Sequence, residues 1–294
     1  MQLPFVSPSL VRTGSLVLLA PDASAVPDSF RSVDVDAARH ASVLAGLQRL
    51  RGRAYLRDGA ISHAQLTSDG CHVQAADDPS WHVVSLQPDG QVMACARFRV
   101  HDAAVLPESL GVWSSALARS SAWTYRLREA IEGDMRLARL REIVYAEVGG
   151  WAVAEEWRRT TQAATTALAT YALAEALGGC IGITTATVRH CSSRILRKLG
   201  GRSLEVAGVE LPPYFDPQYG CQMEILRFDS GAPGTKYDAR VARLARQLRD
   251  LPVICATPGL RPAAADVPHG LLPSLAALAE RHVPCFGTGE LAPA

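Results

Sequence analysis

The sequence predicts a mixed α/β (α+β) fold, a central sheet flanked by helices, with an extension at each end of the chain. Three observations carry this. An apolar-leaning run, VYAEVGGWAV (Val144–Val153), crosses a charged turn at 155–162 into an alanine-rich run that stops at Gly178-Gly179. A second apolar run, IGITTATV at 181–188, is rich in β-branched residues, as strands are. Strand, helix and strand this close together form a βαβ unit with a parallel pair. Upstream, Trp81–Leu86 and 92–100 read as two strands, with turn residues Gln87-Pro88-Asp89-Gly90 between them.

The totals set bounds. The chain has 294 residues, 48% of them hydrophobic, ample for one sizeable core. A net charge of +1 gives no support for nucleic acid as the main partner. No apolar stretch reaches transmembrane length, and the apolar run at 16–20 is too short and too late for a secretory signal. The expectation is a soluble cytoplasmic protein with no integral membrane segment. The 7 cysteines are odd in number and never form a C-x-x-C pair, so neither a disulfide framework nor a metal site is expected.

In chain order, residues 1–32 read as an irregular arm around one short strand candidate. Residues 35–55 are helical in pattern, with Val43, Leu44, Leu47 and Leu50 near one face and Arg51, Arg53 and Arg57 at the end. Basic residues there suit a helix C-terminus. Asp77-Asp78-Pro79 marks a loop. Arg97 and Arg99 point to the same side of their strand. An arginine on a central strand is costly unless paired, so Arg97 reads either as the holder of an anion or as the partner of a helix acid. Residues 110–141 form a polar, helical tract with breaks. Thr160 and Thr161 can cap the alanine-rich helix. Its free N–H groups and dipole then offer an anion site beside Arg158 and Arg159. The other reading is an ordinary capped helix with a solvated arginine pair. Ala163, Ala164, Ala167, Leu168, Tyr171 and Ala172 share the face that lies on the sheet. A short helix at 192–199 ends at Gly200-Gly201, and 203–209 is strand-like. Beyond a Gly-Ala-Pro-Gly linker at 231–234, residues 237–250 form a basic amphipathic helix. Its arginines could meet an acidic carrier protein, or the helix packs on the domain or on a second subunit. A helix candidate at 274–281 carries no legible chemistry. The expected organisation is an arm at 1–32, one domain at 33–230 and a helical extension at 231–294.

The segments EVGGWAV, EEWRRTTQAATTALATYALAEALG, IGITTATV and RILRKLGG, in that order, resemble the core of a GNAT-fold acyltransferase. In detail they are similar to the bacterial N-acyl amino acid synthases and, more distantly, to the acyl-homoserine lactone (autoinducer) synthases. Residues 82–100 resemble the hairpin of that group, residues 211–226 its closing segment, and the likeness spans roughly 33–230; it also implies that the segment bearing Arg51, Arg53 and Arg57 borders the acyl and acceptor pocket. Two departures stand out. The usual phosphate loop, Gln/Arg-x-x-Gly-x-Gly/Ala, reads Arg158-x-x-Thr161-x-Ala163 here, without its central glycine. The usual tyrosine four residues before the glycine of the closing helix is Leu196.

The resemblance implies direct transfer of a fatty acyl group from acyl carrier protein or acyl coenzyme A to the amino group of an amino acid or small amine. The thioester is then a co-substrate and no cofactor is tightly bound. The amine must lose a proton, the carbonyl must be polarised and the two must be aligned. The slot for the thioester would lie between 148–153 and 181–188. A backbone N–H near Trp151 or Ala152 would polarise the carbonyl. Val153, Arg158, Arg159, Thr160, Thr161, Gln162 and Ala163 would complete the donor site. Glu147 is the expected base: burial in an apolar strand raises a carboxylate's pKa, and it aligns with the glutamate of the autoinducer synthases. Their arginine three residues on is Gly150 here. The alternative is a structural Glu147 paired with an arginine such as Arg97. His190 is a second catalytic candidate, or a structural histidine at a strand end. Cys191 beside it lacks a third member for a thiol mechanism. Arg97 and Ser192 are the acceptor-binding candidates, although Ser192 and Ser193 equally suit a helix cap. The changed phosphate loop favours a carrier protein, which offers a single phosphate. Three further functions stand beside this one: autoinducer synthesis from S-adenosylmethionine, a non-catalytic module that binds acyl thioesters, and acetyl transfer through a short, blocked slot.

Overall fold

The computed structural model describes residues 14–258 apart from 23, 103, 159 and 190. The strands are β1 (Ser15–Leu19), β2 (Ser32–Val35), β3 (Trp81–Leu86), β4 (Val92–His101), β5 (Val144–Val153), β6 (Cys180–Thr187), β7 (Arg202–Ser203), β8 (Glu205–Val206), β9 (Val209–Glu210), β10 (Tyr214–Asp216), β11 (Cys221–Asp229) and β12 (Pro252–Cys255). The helices are α1 (Ala37–Arg57), α2 (Thr124–Leu140), α3 (Thr161–Ala176), α4 (Ser192–Lys198) and α5 (Asp238–Leu248).

One mixed sheet organises the molecule, in the order β10-β11-β6-β5-β4-β3-β1-β12-β2, with β7 also on β11. Strands β3 and β4 pair antiparallel about the turn at Gly90, whose φ of 84° a glycine adopts without strain. Strands β5 and β6 are the parallel pair, joined through α3. The sheet runs past residues 33 and 230 at both ends. The arm read as irregular supplies β1 between β3 and β12, and β12 lies between β1 and β2. The strand-like stretch at 203–209 breaks into β7, β8 and β9, the last two forming a ribbon of their own. The helix candidate at 274–281 lies outside the described residues.

Alternation along each strand sends side chains to two faces. On one face Leu18, Val83, Phe98 and Ala146 meet Leu168, Ala172 and Leu173 of α3, whose small residues let it lie close. On the other, Val17, Leu19, Val84 and Cys95 meet Leu47 and Leu50 of α1. Farther along that face Tyr145, Ile181 and Ile183 meet Leu127, Ile131 and Met135 of α2. Helix α1 opens on Asp36, whose carboxylate accepts from the Arg39 N–H at 2.9 Å. Helix α5 buries Val241, Leu244 and Leu248 and packs on α3. Among the described residues no helix is long and apolar enough to cross a membrane.

Candidate active site

Strands β5 and β6 are in register only from Val144 with Cys180 to Glu147 with Ile183. Beyond that point β6 stays paired with β11 as far as Thr187, while β5 stays with β4. The parallel pair therefore parts halfway along. A bulge marks the same place on β5, where Arg97 faces Gly149 but Cys95 faces Ala152. Gly150 sits in the bulge at φ 60°, a conformation that disfavours any side chain. The Cys95 thiol lies 3.5 Å from the Gly150 carbonyl. On the α3 face a narrow apolar slot of about 40 Å³ runs beneath the split, lined by Val148, Trp151, Thr184, Tyr171 and Phe228 among others.

On the opposite face a buried charged cluster abuts the bulge. Arg51 is fully buried and binds Asp77 through both guanidinium ends, at 2.8 and 2.6 Å. It also donates to the His72 carbonyl. Arg97 donates to the same carboxylate at 3.1 Å and to Gln74 Oε1 at 2.7 Å. The Gln48 side chain and the Gln74 N–H complete the ring around Asp77. Burial pushes the Asp77 carboxyl up, but the Arg51 bonds outweigh it and hold the group well below the usual carboxylate range. One carboxylate thus faces two guanidinium groups, which leaves a positive balance beside the bulge. A Cβ on Gly149 would lie 3.5 Å from Arg97 Nη2, and one on Gly150 would lie 3.3 Å from Arg51 Nη1. Arg51 Nε is buried without a partner. The acid paired with Arg97 is therefore in a loop, not on a helix.

Glu147 lies on this same face, and its partner is not Arg97. Oε2 accepts from His101 Nε2 at 3.0 Å and Oε1 from the Val112 N–H at 3.0 Å. The expected rise in its pKa is overturned. Burial pushes the carboxyl up, yet the bonds from His101 and from the backbone N–H groups of Gly111 and Val112 bring it below its ordinary value.

At the start of α3, Arg158 is held by Asp58 at 3.0 Å, and the Thr160 hydroxyl donates to the Trp157 carbonyl at 2.7 Å. Thr161 opens the helix with Gln162 behind it. Ala152 packs with the α1 core, while Val153, Trp151 and Ala163 gather around Met93 and Trp157. Arg159 and His190 lie outside the described residues. Neither serine caps α4: that position is Cys191, at φ 60°, with no side-chain cap bond. The Ser193 hydroxyl donates to Glu224 at 2.7 Å, and Ser192 lies 3.4 Å from the Thr187 hydroxyl. Arg97 reaches toward α1, whereas α4 packs on the α3 side of the sheet, so the two acceptor candidates fall on different faces.

The structure adds three residues to the site, Asp77, His101 and Tyr171, and draws in Arg51, one of the arginines noted at the end of α1. Arg51 had a visible signal, since it falls four residues after Leu47 and three before Ala54 on the buried stripe of α1. His101 shares the parity of Arg97 and Arg99. Asp77 had none beyond a loop-forming Asp-Asp-Pro.

No family model and no curated protein matches the chain. Solved structures do. The coenzyme A-dependent acyl-homoserine lactone synthase BjaI, with S-adenosylmethionine and isopentyl-CoA, superposes with a TM-score of 0.50 at 12% identity, over 84% of this chain and 96% of that one. Its complex with MTA gives the same values. TofI, in a ternary complex with an inhibitor and MTA, gives 0.43 at 15% identity over 79% of this chain and 96% of its own. FeeM, an N-acyl amino acid synthase from uncultured soil microbes, gives 0.40 at 13% identity over 74% and 93%. The fold of this chain is the GNAT-like fold of the acyl-homoserine lactone synthases.

Proposed function

We propose that the chain is an N-acyltransferase that moves an acyl group from a thioester to the amine of a small acceptor carrying a carboxylate. The observation that supports this best is the parting of β5 from β6 after Glu147 and Ile183, with the bulge beside it and the apolar slot beneath. The acyl thioester lies in the slot with its carbonyl against the β5 backbone, where an N–H near Trp151 or Ala152 stabilises the developing oxyanion. The acceptor approaches from the other face, its carboxylate against Arg97, the less deeply buried edge of the positively balanced cluster. The amine gives a proton to Glu147 and attacks the carbonyl carbon. The tetrahedral intermediate then collapses, the C–S bond breaks and the thiolate leaves to be protonated by solvent. At the donor end Asp58 already neutralises Arg158, which favours a carrier protein, with its single phosphate, over coenzyme A. Acidic helices of such a carrier would meet the arginines of α5.

A second reading shares the geometry. The carboxylate of S-adenosylmethionine would meet the same Arg97, and lactone closure would release methylthioadenosine. It is favoured by BjaI, whose solved complexes hold S-adenosylmethionine and MTA. The deciding experiment measures thiol release from acyl carrier protein and acyl coenzyme A donors against pooled amino acids and, separately, S-adenosylmethionine. Release that depends on an amino acid supports the first reading. Release with methylthioadenosine supports the second. Donor binding without release under any condition would sink both and leave a non-catalytic module.

A further inference from the structure

The slot beneath α3 is apolar, yet two donors in its wall lack partners. Trp151 Nε1 and the Tyr171 hydroxyl are both buried and make no hydrogen bond. A buried, unmade hydrogen bond is destabilising, so a polar group enclosed in this way points to a ligand atom that completes it. The two donors sit at different depths. Trp151 follows the bulge on β5, at the split. Tyr171 is 5% exposed and packs edge-on against Phe228. Its hydroxyl lies where a Cβ on Gly200 would be only 2.7 Å away, and it is near enough to Cys180, at the start of β6, to interact with it electrostatically. From Cys180 to Thr184, where the pair has just parted, β6 climbs about 13 Å. A molecule that fills the slot therefore meets one donor near its thioester and another near its far end.

A thioester accounts for the first donor, since its carbonyl or the pantetheine amide can accept from Trp151. A plain hydrocarbon chain leaves the second unsatisfied. We propose that the acyl group this chain selects is a slender, straight chain with a neutral oxygen, hydroxyl or keto, near its far end, which accepts from the Tyr171 hydroxyl. A terminal carboxylate is excluded by the cost of placing a charge in so apolar a slot. The narrowness of the slot selects against branched or cyclic tails. The inference rests on the acyl-transfer reading and adds the class of donor to it.

The test pairs straight-chain acyl coenzyme A and acyl carrier protein thioesters of short to medium length. Each pair consists of a plain chain and the same chain with a hydroxyl on the last carbon but one. Thiol release is followed for the wild type and for Tyr171→Phe, with pooled amino acids and S-adenosylmethionine as acceptors. At the best length the wild type should prefer the hydroxylated chain by about tenfold in kcat/KM. Tyr171→Phe should erase that preference by slowing the hydroxylated member about tenfold more than the plain one. The variant should melt no lower than the wild type, because the lost hydroxyl had no partner. Equal use of both chains by the wild type, or an equal loss on both in Tyr171→Phe, would overturn the inference and leave the acyl-transfer reading standing. Absence of release from every donor would overturn both.

Discussion

Glu147 and His101 meet across neighbouring strands at 3.0 Å, although 46 residues separate them in sequence. The bond, together with two backbone N–H groups, keeps the Glu147 carboxyl below its ordinary pKa and so ionised at neutral pH. As the proposed proton acceptor it is always available but weak. We expect the acid limb of the kcat/KM profile to lie below the usual carboxylate range of about 4.3. Glu147→Gln should lower kcat about 100-fold with little change in the acceptor KM. An unchanged kcat combined with a lower melting temperature would make Glu147 an anchor for the loop at 111–112 instead.

Asp77→Asn should destabilise the protein by about 3–5 kcal/mol, because it leaves the buried Arg51 and its neighbour Arg97 without their counter-charge. Urea unfolding at neutral pH measures this directly. Loss below 1 kcal/mol would mean that water reaches the guanidinium groups. The native carboxyl is depressed, so its contribution is complete above the unfolded value of about 3.9 and falls away as pH drops below it.

His82 should make stability depend on pH in a higher window. Burial lowers its pKa to about 4, and its Nε2–H donates to the Asp77 carbonyl at 2.9 Å. The unfolded chain, with a value near 6.5, binds more protons between these limits, so stability falls as pH falls from about 6.5 to 4. The full loss from this group is about 3 kcal/mol. His72, also pushed down by burial, adds to the slope. His82→Gln should flatten most of it in denaturant titrations at pH values spanning the window.

Gly150→Ala should strain the bulge. A left-handed residue with a side chain costs about 1–2 kcal/mol, and the new Cβ would press at 3.3 Å on Arg51 Nη1 and Arg97 Cβ. We expect the acceptor KM to rise more than the donor KM, since the cluster lies on the face we propose for the acceptor. Equal rises would show that the bulge serves the slot alone.

Local pattern explains what was legible. The β-branched run of β6, the alanine-rich α3 and the Gly90 hairpin each carry their geometry within a few residues, whereas the split between β5 and β6 was legible only through the resemblance to acyltransferases. The cluster could not. Asp77 looks like any loop aspartate, and its meeting with Arg51, 26 residues away, is decided by how the loop folds over α1. Glu147 was visible as a buried acid, but the sign of its shift depended on His101 and on a loop whose path no period encodes. Tyr171 was legible as a buried face of α3. That its hydroxyl would be left alone was not, because orphaned donors follow from the packing of α4 and Gly200 around it.

Strand β12 lies between β1 and β2, and β2 stands at the edge of the sheet with β12 as its neighbour. During synthesis the first two strands emerge more than two hundred residues before the one that joins them. Until Pro252–Cys255 arrives, β1 presents a bare edge and β2 has nothing to pair with. Such distant pairing folds slowly, and an open edge invites pairing with other chains. Truncation just before Pro252 should therefore yield aggregation rather than a smaller soluble domain, even with every residue of the slot and the charged cluster retained.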